Sequence, residues 1–279
     1  MKISIITPTY NSRETIERNI ISVINQSYKN FEQIIVDNKS DDDTLNLINQ
    51  LYTKSSFTDK LKIISEKDYG ISDAFNKGIK SSKGDIIAIL NGDDAYYNDQ
   101  VFEKVVKMFI KPEILFVHGD VYFGDPVYGS NIRKPLLCSV TKAFPYNHPT
   151  MFLRKELYEK FGLFDLSYKY AMDYELVVRF EKEFPEFKTK GKYFSEHPIA
   201  KMYSGGASWK NELQSIEETK KALQKYDFWN SSAKMNYFLR IFRTEFKKYL
   251  SILNLNFIIK IWRNRKWKPE NTVQIIMFF

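Results

Sequence analysis

Two adjacent aspartates, Asp93 and Asp94, follow an apolar run that ends at Leu90. Neighbouring carboxylates repel each other, and a cation bound beside them relieves that repulsion. Mg²⁺ and Mn²⁺ take oxygen ligands and readily bridge a carboxylate to a diphosphate. Gly92, just before the pair, would let a ligand approach the backbone closely because it has no side chain. The pattern predicts a divalent cation site at this point of the chain.

Strand and helix patterns alternate through the first 120 residues, and the elements they predict would position this pair. The run Ile86–Leu90 is fully apolar, as in a strand that is buried on both faces. Repeated strand–helix–strand units predict a mainly parallel sheet with helices on both sides, an α/β fold. The other predicted strands span residues 3–6, 31–36 and 61–64, and the predicted helices run from Asn11 to Asn25, onwards from Asp42, and from Ile71 to Ser81.

Polar and acidic residues gather where the predicted strands end, and ligands of open α/β sheets bind at the carboxyl ends of the strands. Helix capping is the alternative explanation, because Asp and Asn favour N-cap positions. We favour capping for Asp41–Asp43, and Asn11 with Glu14 has the spacing of a capping box. Both explanations stay open for Asp37. The strand-end segments are Thr7-Pro8-Thr9-Tyr10, Asp37-Asn38, Glu66-Lys67-Asp68 and Asn91-Gly92-Asp93-Asp94.

The second half of the chain lacks this regular alternation. Residues 124–147 are predicted to be rich in loops, because they contain Pro126, Pro135 and Pro145. Further on, the patterns predict a strand at 150–154, helices from Lys155 and over 173–184, a loop over 203–208, and mainly helices from Asn211.

The formal net charge of +8 arises in the C-terminal segment. Residues 1–228 hold 32 basic and 32 acidic residues, whereas residues 229–279 hold ten basic and two acidic residues. A neutral body with acids at its strand ends would repel a phosphate backbone, which argues against a nucleic-acid-binding protein. Cys138, the single cysteine, cannot form an internal disulfide, and no run reaches the ~18 apolar residues of a membrane-spanning helix. We therefore expect a cytoplasmic protein.

The strand-end segments, taken together, resemble those of the family 2 glycosyltransferases, which have the GT-A fold. The resemblance covers about residues 2–120 and, more loosely, 145–210. It implies a GT-A domain over residues 1–210, with a nucleotide-sugar-binding half (1–120) and an acceptor half (121–210), followed by a helical extension over 211–279. The motifs are Ile5-Ile6-Thr7-Pro8-Thr9-Tyr10-Asn11, then Asp37 with Ser40, Asp42 and Thr44, then Ser65–Gly78, which resembles enzymes that build bacterial surface polysaccharides, and finally Gly84-Asp85 with Leu90–Asp94.

This resemblance also implies roles for individual donor-side residues. Asp37 would accept a hydrogen bond from the ring N–H of a uracil-like base, and Asp93 would meet the ribose or the sugar. Asp94 would hold the metal ion, Mn²⁺ or Mg²⁺. For Lys77, an ordinary solvent-facing position on a helix is the alternative. The residues implied in donor binding are Thr7, Pro8, Thr9, Tyr10, Asp37, Glu66, Asp73, Lys77, Asn91 and Asp93.

On the acceptor side, Met172-Asp173-Tyr174-Glu175-Leu176 resembles the segment in which the family carries its catalytic aspartate. The family often has Glu where Met172 stands, but the aspartate is retained. The resemblance therefore implies that Asp173 is the catalytic base, although a helix N-cap would suit it as well. Two further acceptor-side candidates are His148 and Arg179. His148 lies in a segment similar to the family's His-containing segment, with a structural role as the alternative, and Arg179 could pair with a nearby acid or with phosphate.

The chemistry of the leaving group predicts the reaction. A cation can stabilise a departing nucleoside diphosphate, and an acceptor hydroxyl needs a carboxylate base. Direct displacement with one base inverts the anomeric carbon. The chain has no Gln-x-x-Arg-Trp motif, which processive synthases carry, so we expect one sugar per visit, from a UDP-sugar to a growing, lipid-linked surface glycan.

Two alternatives concern the same fold. A sugar-nucleotide pyrophosphorylase would need a glycine-rich basic loop after the first strand. Residues 7–14 contain no glycine and a single basic residue, Arg13, which argues against that enzyme. A catalytically silent scaffold that only binds nucleotide is the other alternative, and the presence of both Asp94 and Asp173 argues against it.

The C-terminal segment has an apolar stripe at helical spacing, and a second stretch, 257–268, mixes aromatic and basic residues. Basic amphipathic helices suit an anionic headgroup surface. We therefore expect peripheral contact with the inner face of the cytoplasmic membrane. Packing on the protein's own core, or on a second subunit in a homo-oligomer, is the alternative. The stripe consists of Phe238, Ile241, Phe242, Phe246, Tyr249, Leu250 and Leu253, with Arg240, Arg243 and Lys247 largely beside it.

Overall fold

The computed structural model describes residues 1–126, 129–204 and 211–266, with the backbone alone for 262–266. The strands are β1 (Ile3–Thr9), β2 (Phe31–Asp37), β3 (Leu61–Ser65), β4 (Ile86–Ile89), β5 (Ala95–Tyr96), β6 (Phe116–Gly119), β7 (Val121–Gly124), β8 (Asn131–Arg133), β9 (Phe152–Arg154), β10 (Gly191–Phe194) and β11 (Ala200–Tyr203). The helices are α1 (Ile16–Ile24), α2 (Thr44–Ser55), α3 (Ile71–Ser81), α4 (Val101–Met108), α5 (Lys155–Phe161), α6 (Met172–Glu183), α7 (Glu212–Lys225), α8 (Ser231–Ile252) and α9 (Asn256–Lys266).

The main sheet has seven strands in the order β10-β6-β9-β4-β1-β2-β3. β1 to β4 are parallel neighbours, as the alternation of strands and helices predicts. β9 runs antiparallel to both β4 and β6. The chain therefore enters β9 at the edge of the sheet where β4 ends, and the short turn His148–Thr150 reaches the same edge as the residues that follow β4.

A smaller sheet has four strands in the order β5-β11-β7-β8, and all of them except β5 come after residue 120. β11 is parallel to β7 and antiparallel to β5. The predicted loop-rich region 124–147 contains one of these strands, β8, of only three residues. The predicted loop over 203–208 lies mostly outside the described residues.

Apolar side chains cover both faces of the main sheet, which is what buried β1 and β4 require. Ile6 and Ile34 pack against α3, whereas Ile3 and Ile5 lie in a second cluster with α4. The contact between α3 and β1 is close at Gly78: a Cβ there would lie 2.4 Å from Ile6 Cγ2. Glycine at this position therefore lets the helix approach the sheet.

The predicted start of the first helix is wrong. α1 begins at Ile16, and its N-cap, Thr15, has no side-chain capping bond. Asn11 instead has a positive φ of 46°, and its Oδ1 accepts a hydrogen bond from the N–H of Asp41. Asn11 thus joins the loop after β1 to the loop after β2, a contact that competes with capping.

Helix α7 packs on the domain. Ile216, Ala222 and Leu223 of α7 are buried, and Ala222 and Leu223 belong to the same core as α6. The core of the first 210 residues therefore continues into α7. Within the described residues, no helix is long and apolar enough to cross a membrane.

Candidate active site

A cleft of about 710 Å³ opens where β1 and β4 end. Its walls come from both halves of the chain, because the turn before β9 and the start of α6 face the strand ends. Eight of the residues that the sequence indicates line this cleft: Pro8, Thr9, Tyr10, Asn91, Asp93, Asp94, His148 and Asp173. Six others are not among its lining residues: Thr7, Asp37, Glu66, Asp73, Lys77 and Arg179.

Asp94 is the most buried acid of the cleft, with 2% of its surface exposed. Burial and the neighbouring charge of Asp93 raise the pKa of Asp94 well above its usual range, although Arg18 and a hydrogen bond from Asn91 oppose this. That bond, from Asn91 Nδ2 to Asp94 Oδ2, is long at 3.5 Å. The carboxylate therefore has little compensation from the protein for the water it has lost.

Side chains of helix α1 bind the backbone of the loop that carries these acids. Arg18 donates from Nε and Nη2 to the carbonyl of Asp93, at 3.0 and 2.7 Å. Asn19 Nδ2 donates to the carbonyls of Asn91 and Asp94, at 2.8 and 3.2 Å. The acidic side chains themselves stay available to a ligand.

Asn19 is in turn held by a buried polar chain. Gln33 donates from Nε2 to Asn19 Oδ1 at 2.8 Å and to Thr7 Oγ1 at 3.0 Å. Tyr52 completes the chain by donating to Gln33 Oε1 at 2.6 Å. All four side chains are fully buried. Thr7 thus belongs to the support behind the cleft, whereas the resemblance implies that it binds the donor.

Asp37 is also fully buried. Its carboxylate accepts four hydrogen bonds: from the hydroxyls of Thr9, Ser40 and Ser65 and from the Ser40 N–H. A carboxylate offers about four lone-pair sites. Hydrogen bonds within the protein therefore use all the acceptor sites of Asp37, which leaves none for the predicted bond from a nucleobase. In this conformation Asp37 links the ends of β1, β2 and β3.

Glu66, Asp73 and Lys77 form a cluster beside the cleft. Lys77 Nζ lies 3.0 Å from Glu66 Oε1 and 3.3 Å from Asp73 Oδ2. It also donates to the carbonyl of Lys67 at 2.8 Å. Lys77 therefore connects α3 to the segment after β3 and does not reach into the cleft.

Asp173 and His148 lie side by side on the acceptor-side wall. Asp173 is the second residue of α6, and its Oδ1 accepts a hydrogen bond from the Tyr174 N–H at 2.8 Å. Burial lowers the pKa of His148, and the charge of Asp173 partly opposes this. The imidazole beside Asp173 is therefore predominantly neutral near pH 7.

Arg179 has structural partners instead of a cleft contact. It pairs with the buried Glu175 at 3.0 Å and donates to the carbonyls of Phe161 and Leu163. These contacts join α6 to the end of α5. The resemblance implies an acceptor-side role for Arg179, but the structure brings its guanidinium to the helix interface.

Several cleft residues are absent from the sequence-based site. Asp68 accepts a hydrogen bond from the Gly70 N–H, and burial raises its pKa. Its position at a strand end was a signal for it. Lys169 and Tyr170, just before Asp173, also line the cleft, as does Tyr203 at the end of β11. Tyr203 lies under the Arg18 guanidinium, 4.2 Å from ring centroid to Cζ, and nothing local in the sequence pairs these two residues.

A divalent metal ion fits the oxygen donors after β4. Asn91 Oδ1 is buried and has no hydrogen-bond partner among the described residues, and it lies beside the poorly compensated Asp94. Amide and carboxylate oxygens are ligands that Mg²⁺ and Mn²⁺ accept. No group of three or more His, Cys, Asp or Glu residues in the described part of the chain could hold a metal by itself. A bound ion would therefore need further oxygen ligands from the donor or water.

A family model described as glycosyl transferase family 2 matches residues 4–173, more than half of the chain. The chain belongs to that family. This enzyme is thus a glycosyltransferase that transfers a sugar from a nucleotide sugar. The match ends at Asp173, so it includes both walls of the cleft.

Individual relatives agree with this assignment. The chain is 28% identical over 229 residues to an uncharacterized glycosyltransferase of Rickettsia prowazekii, covering 77% of this chain and 68% of that protein. It is 32% identical over 145 residues to one of Haemophilus influenzae, covering 52% and 55%. It is 27% identical over 180 residues to a PGL/p-HBAD biosynthesis glycosyltransferase of Mycobacterium bovis, covering 63% and 68%.

Solved structures share the fold at low identity. TarS of Staphylococcus aureus, residues 1–349 in complex with UDP-GlcNAc, matches with a TM-score of 0.61 and 16% identity, over 85% of this chain and 70% of that one. The mannosyltransferase PcManGT of Pyrobaculum calidifontis, in complex with GDP-Man and Mn²⁺, matches with a TM-score of 0.60 and 14% identity, over 93% and 80%. These similarities confirm the GT-A fold that the motifs imply.

Proposed function

We propose that this enzyme is an inverting, metal-dependent, non-processive glycosyltransferase that moves a sugar from a UDP-sugar to a hydroxyl of a growing, lipid-linked surface glycan. The observation that carries the proposal is that Asp94, from the donor half, and Asp173, from the acceptor half, line one cleft. The first can bind a metal ion and the second can accept a proton. Between them lie polar and aromatic groups that suit a nucleotide sugar.

The donor would bind along the ends of β1 and β4. Tyr10 is 61% exposed at the cleft, and Pro8 and Thr9 lie beside it, so a nucleobase could pack there. Asn91 and Asp93 would contact the ribose and the sugar. Two fold neighbours are in complex with UDP-GlcNAc and with GDP-Man, which supports a nucleotide-sugar donor of one of these kinds.

The metal ion would be held by Asp94, with Asn91 Oδ1 and Asp93 beside it. When bound, a divalent cation neutralises charge on the departing diphosphate. The buried loop backbone, fixed by Arg18 and Asn19, keeps these oxygens in place before any ligand arrives. A pre-arranged donor set costs little reorganisation during the reaction.

Asp173 would act as the general base. The acceptor hydroxyl attacks the anomeric carbon as its proton passes to the Asp173 carboxylate. The bond between the anomeric carbon and the phosphate oxygen breaks, and the nucleoside diphosphate leaves with the electron pair. Because His148 is predominantly neutral, it would not neutralise Asp173 and could hydrogen-bond the acceptor. One displacement from the face opposite the leaving group inverts the configuration.

The apolar face of α8 would bring the enzyme to a membrane that presents the acceptor. Phe238 and Phe242 are both 65% exposed, and Ile252 is 77% exposed. A basic amphipathic helix of this kind suits anionic lipid. Two of its predicted basic flanking residues serve the protein instead: Lys247 pairs with Glu212 at 2.7 Å, and Arg240 is half-buried beside α6. The exposed Lys234 and Arg243 would remain for lipid headgroups, whereas Lys248 pairs with Glu245 at 3.0 Å. Residues 267 and 268 of the predicted second stretch lie outside the described residues.

The test is turnover of a donor panel with defined metals. The purified enzyme is incubated with UDP-, GDP- and dTDP-sugars in Mn²⁺, Mg²⁺ or EDTA, and released nucleotide and the product anomer are measured. We expect turnover of an α-linked UDP-sugar with a divalent metal, giving a β-linked product. Retention of configuration, or equal turnover in EDTA, would contradict the proposed mechanism. Nucleotide binding without any turnover would indicate a silent scaffold, and consumption of pyrophosphate would indicate a pyrophosphorylase.

A further inference from the structure

We propose that Glu218, on α7, is a positioning residue for the acceptor-side wall of the cleft. It would fix the segment Lys169–Ala171, and through it the start of α6 with Asp173. The inference rests on the proposed function, since it assigns Glu218 to the same reaction. Glu218 itself is not among the cleft residues, so it acts through the segment that it binds.

The contacts are three hydrogen bonds from consecutive backbone amides to one carboxylate. Glu218 Oε1 accepts from the Lys169 N–H at 2.9 Å, and Oε2 accepts from the N–H groups of Tyr170 and Ala171, both at 2.8 Å. Hydrogen bonds to an ionised acceptor are the strong ones. Three of them on adjacent residues leave the segment little freedom.

The segment has no local substitute for this carboxylate. Ala171 is the N-cap residue of α6 and has no side chain that could cap the helix. The first amides of a helix need acceptors from outside the helix. Here the acceptor comes from α7, 47 residues after Ala171 along the chain. Glu218 thus binds the amide of the N-cap residue and those of the two residues before it, whereas the Tyr174 N–H inside the helix is bonded by Asp173.

The same segment forms part of the cleft on its other side. Lys169 and Tyr170 line the cleft, and Met172 and Asp173 follow directly. Lys169 is exposed, and its ammonium has no ion pair with a described residue. In a cleft that also contains Asp68, Asp93, Asp94 and Asp173, this cation is placed to meet a phosphate oxygen of a bound ligand. A shift of the segment would move both the cation and the base.

Helix α7 is a firm support for Glu218. Ile216 and Leu223 are buried against the domain core. Lys225 pairs with Asp165 at 2.9 Å, and the Tyr226 hydroxyl donates to the buried Glu175 at 2.5 Å. Contacts on both sides of Glu218 along the chain therefore keep its carboxylate facing the amides.

The experiment compares Glu218→Gln and Glu218→Ala with Glu183→Gln. Glutamine keeps the shape but turns one acceptor oxygen into an amide NH₂ that faces the backbone N–H groups, whereas alanine removes both acceptor oxygens and all three hydrogen bonds. Glu183 is exposed at the end of α6, and its side chain has no hydrogen-bond or ion-pair partner among the described residues, so its variant controls for the loss of one negative charge. Melting temperature and UDP affinity are measured first, to show that the variants are folded.

We expect kcat to fall about 10–100-fold in Glu218→Gln and further in Glu218→Ala, because a displacement of about 1 Å can cost this much. The affinity for UDP should fall less than kcat does, since of the two displaced groups only Lys169 would contact a phosphate, and Glu183→Gln should behave as the wild type. A folded Glu218→Ala enzyme with normal kcat would overturn the positioning role. So would an equal loss of UDP affinity and kcat in both Glu218 variants, which a general loss of structure predicts.

Amide hydrogen exchange over residues 169–171 gives a readout that does not need activity. We expect exchange at these amides to be at least about tenfold faster in Glu218→Ala, since protection follows local opening. Amides of β1 should keep their protection. Unchanged exchange at 169–171 would overturn the inference even in an active enzyme. If the wild type transfers no sugar at all, the proposed function fails, while this measurement still decides whether Glu218 fixes the segment.

Discussion

Asn19 and Asn91 are joined by a hydrogen bond of 2.8 Å from the side-chain amide of the first to the backbone carbonyl of the second. The same amide reaches the carbonyl of Asp94 at 3.2 Å. Both contacts use the backbone of the loop, so they set its shape without occupying the acids. Asn19 lies on α1, which packs against β5 just after this loop. The first helix of the fold therefore orients the acidic segment that follows the fourth strand.

We expect Asn19→Ala to weaken metal-dependent UDP binding by about tenfold or more. The substitution removes the side-chain bonds to the carbonyls of Asn91 and Asp94 and one of the two bonds that Gln33 Nε2 donates, and each lost hydrogen bond costs about 0.5–1.5 kcal/mol. Isothermal titration of UDP with and without Mn²⁺ measures the effect. Glu17→Ala, an exposed change on the same helix, is the control. If Asn19→Ala binds UDP and metal as the wild type does, the loop does not need this support.

Asp94→Asn should abolish turnover and metal-dependent nucleotide binding, yet raise the melting temperature of the metal-free protein at pH 7. Its raised pKa means that the folded protein binds the Asp94 proton more tightly than the unfolded chain does, so the ionised carboxylate opposes folding above the unfolded pKa of about 3.9. An uncharged side chain removes this penalty. Calorimetry at pH 7 and pH 4 checks the sign, because the gain should shrink at the lower pH. A variant that is less stable at pH 7 would argue against the buried-charge explanation.

Asp173→Asn should keep donor binding but lose transfer by about 10²–10⁴-fold, the usual contribution of a general base. The amide cannot take up the acceptor proton, although its oxygen can still accept the hydrogen bond from the Tyr174 N–H. Single-turnover kinetics with saturating donor separates the two steps. Near-normal transfer would reduce Asp173 to a residue that only stabilises the start of α6.

Replacing Phe242 and Phe246 together by Glu should abolish binding to vesicles of phosphatidylglycerol and phosphatidylcholine. Both side chains are well exposed on α8, so acids there remove apolar contact and add repulsion from anionic lipid. Flotation at low salt measures the effect, and Ile110→Glu with Leu166→Glu, at exposed apolar positions elsewhere, is the matched control. A wild-type protein that stays in solution would refute membrane docking. A dimer in sedimentation that the double variant converts to a monomer would assign the face to a second copy.

His118→Gln should reduce the amount of stability that the protein loses between pH 6.5 and pH 4. His118 is 4% exposed in β6, and burial lowers its pKa to about 4. The unfolded chain therefore binds this proton at a higher pH than the native protein, so stability falls as pH decreases through this range. The contribution is on the order of 3 kcal/mol, since one pKa unit corresponds to about 1.4 kcal/mol. Urea unfolding at both pH values measures the free energy of unfolding. An equal loss of this free energy between the two pH values in variant and wild type would exclude His118 as the cause.

The donor half could be predicted from sequence because its signals are local. The apolar runs at β1, β2, β3 and β4 and the helical spacing of α3 place four strand ends at one edge, and that edge carries the acids. The start of α1 was misplaced because Asn11 is held by Asp41, a contact with the next loop that no short-range pattern reveals. The two- to four-residue strands of the small sheet are too short to produce a period of their own.

The acceptor side depends more on distant pairing. Asp173 could be recognised from the motif around it. The partner of Arg179 could not, because the sequence does not distinguish an arginine that binds a ligand from one that pairs with a buried acid such as Glu175. Asp37 shows the same limit: an acid at a strand end can face a ligand or tie neighbouring loops, and here three hydroxyl groups from three segments surround it. Glu218 has no local signal at all, since its partners lie 47 or more residues earlier.

The long separation between Glu218 and its amides has a consequence for synthesis on the ribosome. Chains fold from the N-terminus as they emerge. β1 to β4 can pair as soon as about 90 residues are free, so the nucleotide side can take shape early. The segment before Asp173 must wait until α7 has emerged. During that interval the nascent chain could hold a donor while the wall that carries Asp173 is still unsupported. The emergence of α7 would then turn a nucleotide-binding intermediate into an enzyme.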